Sequence, residues 1–402
     1  MMILRPCTEF RNHVRAARGG LRQRMAAWAI MPAALALIFS ASAPAGADPI
    51  RRLGQNPRGL ALGGTGMSYS DDEMALYYNP AGLGSVTNWW VELLPVALEA
   101  SPDGVKFVKD AANSGSSNAA STSDVTKLIR DNMGKDLHYR AFAYPTAVIG
   151  LGKGLAFGAG GFVEGEVDMQ FHNQATPELD AYYRNDQGVA AAFAFPLLSG
   201  KLLMGVGGHN IKRETAEGTL SSAALAIASA NNKLDLTKDL NLQSGSGTGY
   251  DVGFIYRLEA LPALRSQLAL TVQNVGGTKL GDAGEIPQEV SVGWAARPSI
   301  TPLVHTLFAI EFRDATYDAT NDTSVDKRTH VGFEVGVVPF DISAALVTAR
   351  VGYGSGAASY GLELAAWHFF SIQYVYYVQE YGKVAGDDPR KRQIIQLNLI
   401  GF

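Results

Sequence analysis

Apolar and polar residues alternate in one short segment after another from about residue 88 to the end of the chain. In residues 289–297, for example, Val290, Val292 and Trp294 share one face, and Glu289 lies on the other. A period of two is typical of a β-strand with two unlike faces. Although 47% of the residues are hydrophobic, no apolar stretch beyond the N-terminal region reaches the roughly 20 residues of a transmembrane helix. The sequence therefore predicts an all-β fold.

About fourteen such segments follow one another, each roughly 10–17 residues long, which is enough to cross a bilayer at a tilt. The connections between them are mostly long after odd-numbered segments, as at 101–135 and 215–247, and short after even-numbered ones. Long loops on one side and tight turns on the other are typical of an outer-membrane barrel. We therefore predict a transmembrane antiparallel β-barrel of about 14 strands over residues 88–402.

Charged residues within the predicted strands need an explanation, because unpaired charge facing lipid hydrocarbon is costly. If the apolar faces meet lipid, the charged side chains point into the lumen. Two compatible interpretations follow: they form ion pairs that keep a closed barrel in register, or they line a polar lumen that holds a plug or forms a pore. The predicted lumenal charges are Arg140, Asp251, Arg257, Glu311, Arg313, Glu334, Arg350 and Glu363.

Residues 1–47 have the features of a cleaved secretory signal peptide: several arginines, an apolar run over 25–39, and small residues at 45–47. The chain without them keeps 28 of its 34 basic and 37 of its 38 acidic side chains. This excess of acidic over basic side chains argues against nucleic-acid binding, which needs a positively charged surface. The one cysteine, Cys7, is removed with the signal, which excludes disulfide and thiolate chemistry from the mature chain.

No catalytic or cofactor motif stands out. The glycine-rich stretch around Gly63 and Gly64 lacks the lysine and the strand-to-helix context of a phosphate-binding loop. The histidines are scattered without metal-ligand spacing, and no serine nucleophile elbow is present. We therefore predict no enzyme activity, no cofactor and no metal site.

Two long loops carry helical patterns, at 123–133 and 220–230. In the first, Ser123 is a candidate N-cap, and Val125, Leu128 and Ile129 share one helical face.

The chain ends in an aromatic residue, Phe402, in phase with Ile394 and Ile400. A final strand that ends in this way resembles the signal recognised by the barrel-assembly machinery of Gram-negative bacteria. The alternative is an ordinary last strand. The first interpretation predicts two partners, the assembly machinery during biogenesis and the lipid of the outer membrane.

Three stretches near the start of the predicted mature chain form a pattern: residues 58–66, the acidic pair at 71–72 and the motif at 77–83. This pattern resembles the N-terminal segment of the superfamily that contains the FadL-type transporters and the PorV-like outer-membrane proteins. Residues 272–276 and 351–353 extend the resemblance toward the C-terminus. The resemblance implies a fourteen-stranded barrel whose N-terminal segment, here residues 48–87, folds back into the lumen as a hatch. The implied hatch residues are Arg58, Gly63, Gly64, Asp71, Asp72, Asn79 and Pro80.

In the transporters an apolar ligand is captured among the extracellular loops, moves to a pocket in the barrel, and is released when the hatch shifts. The resemblance thus implies a passive channel for fatty-acid-like or aromatic compounds in the Gram-negative outer membrane. It makes Val125, Leu128 and Ile129 candidates for ligand capture. A PorV-like assembly or interaction protein is the alternative, and a soluble secreted β-protein is a third. We also expect Arg58 and the acidic pair at 71–72 to find lumenal partners such as Arg257, Arg313 or Glu334.

Overall fold

The structure is a computed structural model that describes residues 52–114, 122–173, 175–221, 240–259, 262–298, 300–318, 324–337, 346–366, 370–382 and 385–399. The predicted signal peptide lies outside these residues, and so do Ile400 and Phe402 of the predicted assembly signal. Most of the predicted helix at 220–230 is also outside them.

A closed antiparallel β-barrel of 14 strands dominates the structure and confirms the predicted fold class. Each strand pairs with its neighbours in the sequence, and the ring closes where the last strand pairs with the first. The strand segments are β1 (Trp89–Glu92), β2 (Val96–Ala100), β3 (Leu137–Ala143), β4 (Thr146–Gly152), β5 (Leu155–His172), β6 (Glu178–Leu197), β7 (Leu202–Leu220), β8 (Gln243–Arg257), β9 (Gln267–Gln273), β10 (Thr278–Lys279), β11 (Glu285–Ile286), β12 (Glu289–Ala296), β13 (Val304–Phe312), β14 (Thr329–Val337), β15 (Val347–Gly354), β16 (Ala357–Ala366), β17 (Phe370–Glu380) and β18 (Pro389–Leu399).

The sheet contains sixteen segments because the first two barrel strands are interrupted at the same height. Pro95 separates β1 from β2, and Pro145 separates β3 from β4. A proline has no N–H to donate to a strand ladder, so it ends regular pairing at that point. The small hairpin formed by β10 and β11 is a separate two-stranded sheet that lies against β8.

Inward and outward faces alternate along the strands as the sequence predicts. In β14, Phe333 is 42% exposed on the outer face, whereas its neighbour Glu334 is 2% exposed on the inner face. The outer face carries many exposed valine, leucine, isoleucine and tyrosine side chains, which suits contact with lipid.

Three strands are longer than predicted: β5, β6 and β7 contain 18, 20 and 19 residues. They extend into the predicted long loops, so the connection between β5 and β6 has only five residues. The turn between β15 and β16 contains two residues, Ser355 and Gly356.

In the part of the chain that the structure describes, five short α-helices accompany the barrel. Two lie in the N-terminal segment, two in the long loop after β2, and one after β13. Among the described residues no helix is long and apolar enough to cross a membrane. The helices are α1 (Pro57–Ala61), α2 (Ala75–Tyr78), α3 (Pro102–Ser114), α4 (Thr122–Asp131) and α5 (Val325–Arg328).

The main hydrophobic core lies between the N-terminal segment and the inner face of the barrel. Leu60, Leu76 and Leu83 of the segment belong to the same buried cluster as Phe142 and Ile394 of the wall. The inner face of the barrel is therefore packed against the chain's own N-terminal residues.

Candidate functional site

The N-terminal segment, which we define as Arg52–Ser85, begins with a short capped helix. The Asn56 side chain accepts a hydrogen bond from the Gly59 amide at 2.9 Å, and Pro57 occupies the first helical position. Both residues are favoured at these positions, because the first amides of a helix have no partner within it. The capped turn places the side chain of Arg58 against the barrel wall.

Arg58 is the centre of an ion-pair network between the segment and the wall. Its guanidinium donates to both carboxylate oxygens of Glu334, at 2.9 and 3.0 Å, and to Asp72 at 2.7 Å. Glu334 also accepts from Arg350 at 2.6 Å and contacts His305 at 3.0 Å. Burial lowers the pKa of Arg58, but the nearby carboxylates raise it by more, so the guanidinium stays charged.

The two aspartates beside Arg58 bind different arginines most closely. Asp72 binds Arg58, whereas Asp71 contacts Arg297 at 2.8 Å and lies 3.6 Å from Arg58. Arg297 follows strand β12, and the sequence analysis did not select it. These contacts tie the middle of the segment to two separate parts of the wall.

Gly63 and Gly64 form the turn at which the segment lies closest to the wall. Both have positive φ, +75° and +86°, where residues with a Cβ are disfavoured. A Cβ on Gly63 would lie 2.4 Å from the Tyr353 carbonyl oxygen. The carbonyls of the two glycines accept from His330 Nδ1 at 2.6 Å and from Arg313 at 2.8 Å.

Glu311 binds the stretch that follows this turn. Its Oε1 accepts from the amides of Gly66 and Ser68 at 2.9 and 2.8 Å, and from the Ser68 hydroxyl at 2.7 Å. Arg313, two residues on, donates to Glu289 at 2.9 Å. Glu311 thus binds backbone amides of the N-terminal segment to the barrel wall.

Asn79 and Pro80 form the last turn before the barrel. The Asn79 amide group donates to the Met67 carbonyl at 2.8 Å, and its oxygen accepts from the Ala81 amide at 3.1 Å. The wall makes room for this turn with glycines: a Cβ on Gly253 would lie 1.9 Å from Asn79 Oδ1, and one on Gly205 would lie 2.1 Å from the Ala81 nitrogen. The segment and the wall are complementary in shape here.

The remaining predicted lumenal charges are also placed by the structure. Asp251 is buried and contacts His209 at 3.2 Å, and Glu363 is half-buried and binds Arg350 at 2.5 Å. Arg257 has the inward register but lies exposed at the end of β8, where its guanidinium is 3.4 Å from the Ser85 hydroxyl. Neither Arg257 nor Arg313 pairs with the acidic residues at 71–72.

A second charge network follows the inner wall away from the segment. Glu99, Arg140, Glu166 and Arg184 are direct register partners across β2, β3, β5 and β6, and we refer to them as the ionic row. Arg140 donates to Glu99 at 3.1 Å, and Arg184 donates to Glu166 at 2.7 Å. Glu164 bridges the two arginines from a neighbouring position. Only Arg140 of this row was selected from the sequence.

His138 lies between two carboxylates of this network. Its two ring nitrogens contact Asp168 at 2.6 Å and Glu99 at 2.9 Å. Ligand atoms of His138, Glu166 and Asp168 lie within 4.8 Å of one another, a spacing compatible with a metal ion. Glu166 is already bound by Arg184, and both nitrogens of His138 are engaged. These residues therefore form an ion-pair cluster of their own, and we assign no metal to it.

The end of the barrel that carries the long loops also carries two helices. The helix predicted over 123–133 is present as α4, in which Leu128 and Ile129 are half-buried. The side chain of Val125 lies outside the described residues. The preceding helix, α3, was not predicted, and its Val105 and Val108 are 52% and 54% exposed. These helices present apolar side chains on the surface where the long loops lie.

Beneath these helices is a separate buried hydrophobic cluster. Leu137, Phe171 and Leu179 form its core, and Ile129 of α4 and Phe107 of α3 pack against it. The helices are thereby anchored on the tops of the long strands β5 and β6.

Glu73 is a carboxyl group in the segment with an unusual environment. It is 9% exposed and shares a hydrogen bond with Glu92, which is 3% exposed. Burial, and then the charge of Glu92, raise the pKa of Glu73 well above its usual range. The structure thus favours a protonated Glu73.

This environment predicts a pH dependence. An acid with a raised pKa in the folded state loses its contribution as the pH rises from the ordinary value through the raised one. We therefore expect amide protection of the segment, measured by hydrogen exchange, to fall as the pH rises above the ordinary titration range of a carboxyl group. Glu73→Gln keeps a hydrogen-bond donor without the ionisation, so it should flatten this dependence. If amide protection in Glu73→Gln depends on pH as it does in the original protein, the effect belongs to another group.

Comparison with solved structures identifies the barrel type. The TodX deltaS2S3 mutant monoaromatic hydrocarbon channel aligns with a TM-score of 0.52 at 14% identity, over 86% of this chain and 98% of that one. The Ralstonia pickettii toluene transporter TbuX aligns at 0.49 and 15%, over 87% and 99%. A Pseudomonas aeruginosa FadL homologue aligns at 0.38 and 11%, over 89% and 99%.

The first alignment shows that this chain has a FadL-type barrel fold, which confirms the fold implied by the sequence motifs. No family model matches the chain, and no curated protein matches it.

Proposed function

We propose that this protein is a Gram-negative outer-membrane channel through which small hydrophobic compounds pass without an energy source. One observation carries the proposal: a FadL-type barrel is filled by its own N-terminal segment, which meets the wall through non-covalent contacts. A lumen closed in this way needs a movable part to conduct. We propose that Arg52–Ser85 is that part and acts as a hatch.

The solved neighbours are described as a monoaromatic hydrocarbon channel and a toluene transporter. We propose the same substrate class here, apolar aromatic or fatty-acid-like compounds. The exposed Val105 and Val108 at the extracellular end support this class, because exposed apolar side chains favour apolar ligands. The lipid-facing surface supports an outer-membrane location, reached by a signal peptide that is cleaved and with the help of the barrel-assembly machinery.

A reversible cross-link tests the hatch directly. A Cβ on Gly293 would lie 3.1 Å from the Cβ of Ser68, a few tenths of an ångström below the usual disulfide spacing of about 3.5–4.5 Å. A Ser68→Cys, Gly293→Cys double variant would join the segment to the wall. When this variant is reconstituted into liposomes, oxidation of the two cysteines should stop uptake of labelled toluene, and a reductant should restore it.

The two single-cysteine variants are the matched controls, since neither can form the bond. Equal toluene uptake by the oxidised and reduced double variant would reject a moving hatch. If no state of the protein passes toluene and it instead copurifies with one stable partner, the PorV-like assembly role would replace the channel.

Ligand capture by α3 gives a second prediction. Val105→Ser with Val108→Ser removes exposed apolar surface without removing core packing, so the barrel should assemble normally. We expect uptake at low toluene concentration to fall about two- to tenfold, as for the loss of one or two small apolar contacts. Lys109→Ser, an exposed change on the same helix, is the control and should leave uptake unchanged. An equal loss in both variants would point to a general effect on the loop.

A further inference from the structure

The helix α3 lies against the outside of the barrel wall rather than over its mouth. Tyr139 of β3 points outward, because its neighbour Arg140 points into the lumen and side chains alternate along a strand. The Tyr139 hydroxyl donates to the Gly104 carbonyl of α3 at 2.8 Å. The centre of the Phe107 ring of α3 lies 6.2 Å from that of Phe171, which has the same outward register on β5. The helix is therefore held on the outer surface of the wall.

This helix begins at the edge of the lipid-facing surface. Leu98 of β2 is 62% exposed on the outer face, and the strand ends two residues later at Ala100. Ala100 is the register partner of Gln393 on β18. At Gln393 the outward residues of β18 change from apolar, as at Ile395, to polar, as at Lys391. The start of α3 thus lies at the height of the lipid headgroups, at the border of the apolar band.

The helix has three unlike faces. Gly104 and Phe107 share the face that contacts the barrel. On one side of this contact, helical spacing brings together three exposed apolar residues, which we call the apolar flank: Val105, Val108 and Ala112. On the other side it brings together three charged residues: Asp103, Lys106 and Asp110. The helix is therefore amphipathic across the direction in which it packs on the barrel.

The apolar flank needs a partner outside the protein's own core. Its two valines are 52% and 54% exposed. Residues 115–121, which follow α3, contain no side chain larger than asparagine, so they offer no apolar cover. The acyl chains beside Leu98 are the adjoining apolar phase, and amphipathic helices bury an apolar face at such an interface. Lys109 borders the flank on the side away from the barrel, where a lysine carries its charge to headgroup phosphates.

We propose that α3 is an interfacial helix that binds the outer leaflet of the membrane. Its apolar flank lies among acyl chains just below the headgroups, and its charged side faces water. The leaflet is the outer one, because the long loops of such barrels are extracellular. The inference goes beyond the proposed function, since it assigns a lipid surface to α3 and does not depend on the passage of any compound. For the proposed channel it means that Val105 and Val108 meet apolar compounds within the lipid interface.

Spin labels test this placement. The predicted mature chain has no cysteine, since Cys7 lies in the predicted signal peptide, so one introduced cysteine carries one label. Val108→Cys and Lys106→Cys are labelled with a nitroxide and reconstituted in vesicles of phosphatidylethanolamine and phosphatidylglycerol. Power saturation then compares collisions of the label with oxygen, which concentrates in lipid, and with a water-soluble nickel chelate. We expect oxygen to be favoured at Val108→Cys and the chelate at Lys106→Cys, the matched control on the charged side.

Leu98→Cys, on the lipid-facing wall, is the lipid reference, and Val105→Cys repeats the measurement on the apolar flank. Heat-modifiable electrophoretic migration verifies assembly of each variant. A preference for the chelate at both Val105→Cys and Val108→Cys would overturn the proposal. Shielding of both labels from oxygen and chelate would also overturn it, because protein would then cover the flank. The measurement needs no toluene, so it decides the lipid contact even if the protein passes none.

Discussion

Replacing Gly205 by valine is expected to detach the N-terminal segment from the wall and to open the lumen to water-soluble solutes. A Cβ at this position would lie 2.1 Å from the Ala81 nitrogen and 2.2 Å from the Pro80 carbonyl carbon. Both are backbone atoms, so no side-chain rotation relieves the overlap. Over-packing of this kind costs about 1–3 kcal/mol or more. Single-channel recording in planar bilayers should show a large, persistent conductance that the original protein lacks.

Gly208→Val on the same strand is the matched control. A Cβ on Gly208 would have only ordinary contacts, 3.5 Å from the Gly249 carbonyl oxygen and from the ring of Tyr250. Both variants add the same β-favouring side chain to β7, so they differ mainly in what that side chain meets. We expect Gly208→Val to stay closed. Equal conductance of the two variants would show that the segment is not what closes the barrel.

Replacing Glu334 by leucine should cause the largest loss of stability. Its carboxylate binds both Arg58 and Arg350, and its removal leaves the half-buried Arg58 and the buried Arg350 with fewer partners. Breaking a buried pair from one side costs about 3–5 kcal/mol. We expect a lower melting temperature and faster proteolysis within the N-terminal segment, because Arg58 would no longer be held against the wall.

Glu363→Gln is the comparison for this change. Glu363 binds the same arginine, Arg350, but its side chain is 18% exposed against 2% for Glu334. The expected loss is about 1 kcal/mol or less, since a more exposed pair contributes little. The double variant Arg58→Met, Glu334→Leu should recover part of the stability lost in Glu334→Leu. A melting temperature of Glu334→Leu equal to that of the original protein would contradict the central role of this carboxylate.

The alternation of residue types predicted the barrel well, because a two-residue period assigns each side chain to a face without knowledge of its neighbours. Phe333 and Glu334 illustrate this, and so does Asp251 beside the exposed Tyr250. Strand ends were predicted less well. The long strands β5 to β7 continue into stretches that were predicted as loops, such as residues 178–183 at the start of β6.

Partners across the lumen could not be predicted, because they depend on which strands become neighbours and in what register. Arg58 was expected to find a lumenal partner, and it binds Glu334, but the Asp71 partner Arg297 was not foreseen. Part of the ionic row is nevertheless visible as a pattern in the sequence. Glu164 and Glu166 occupy alternate positions between valines, a pattern of inward charge that the sequence analysis did not use.

The ionic row also has a consequence for how the barrel is made. A strand that paired one residue out of register would turn its whole inner face outward, so the carboxylates of β5 would be presented to hydrocarbon. A charged side chain that faces hydrocarbon is costly, by about 2–4 kcal/mol for arginine at the bilayer midplane and by less for a carboxylate. A one-residue slip would separate Glu166 from Arg184 and is therefore disfavoured, so the ionic row favours the observed register.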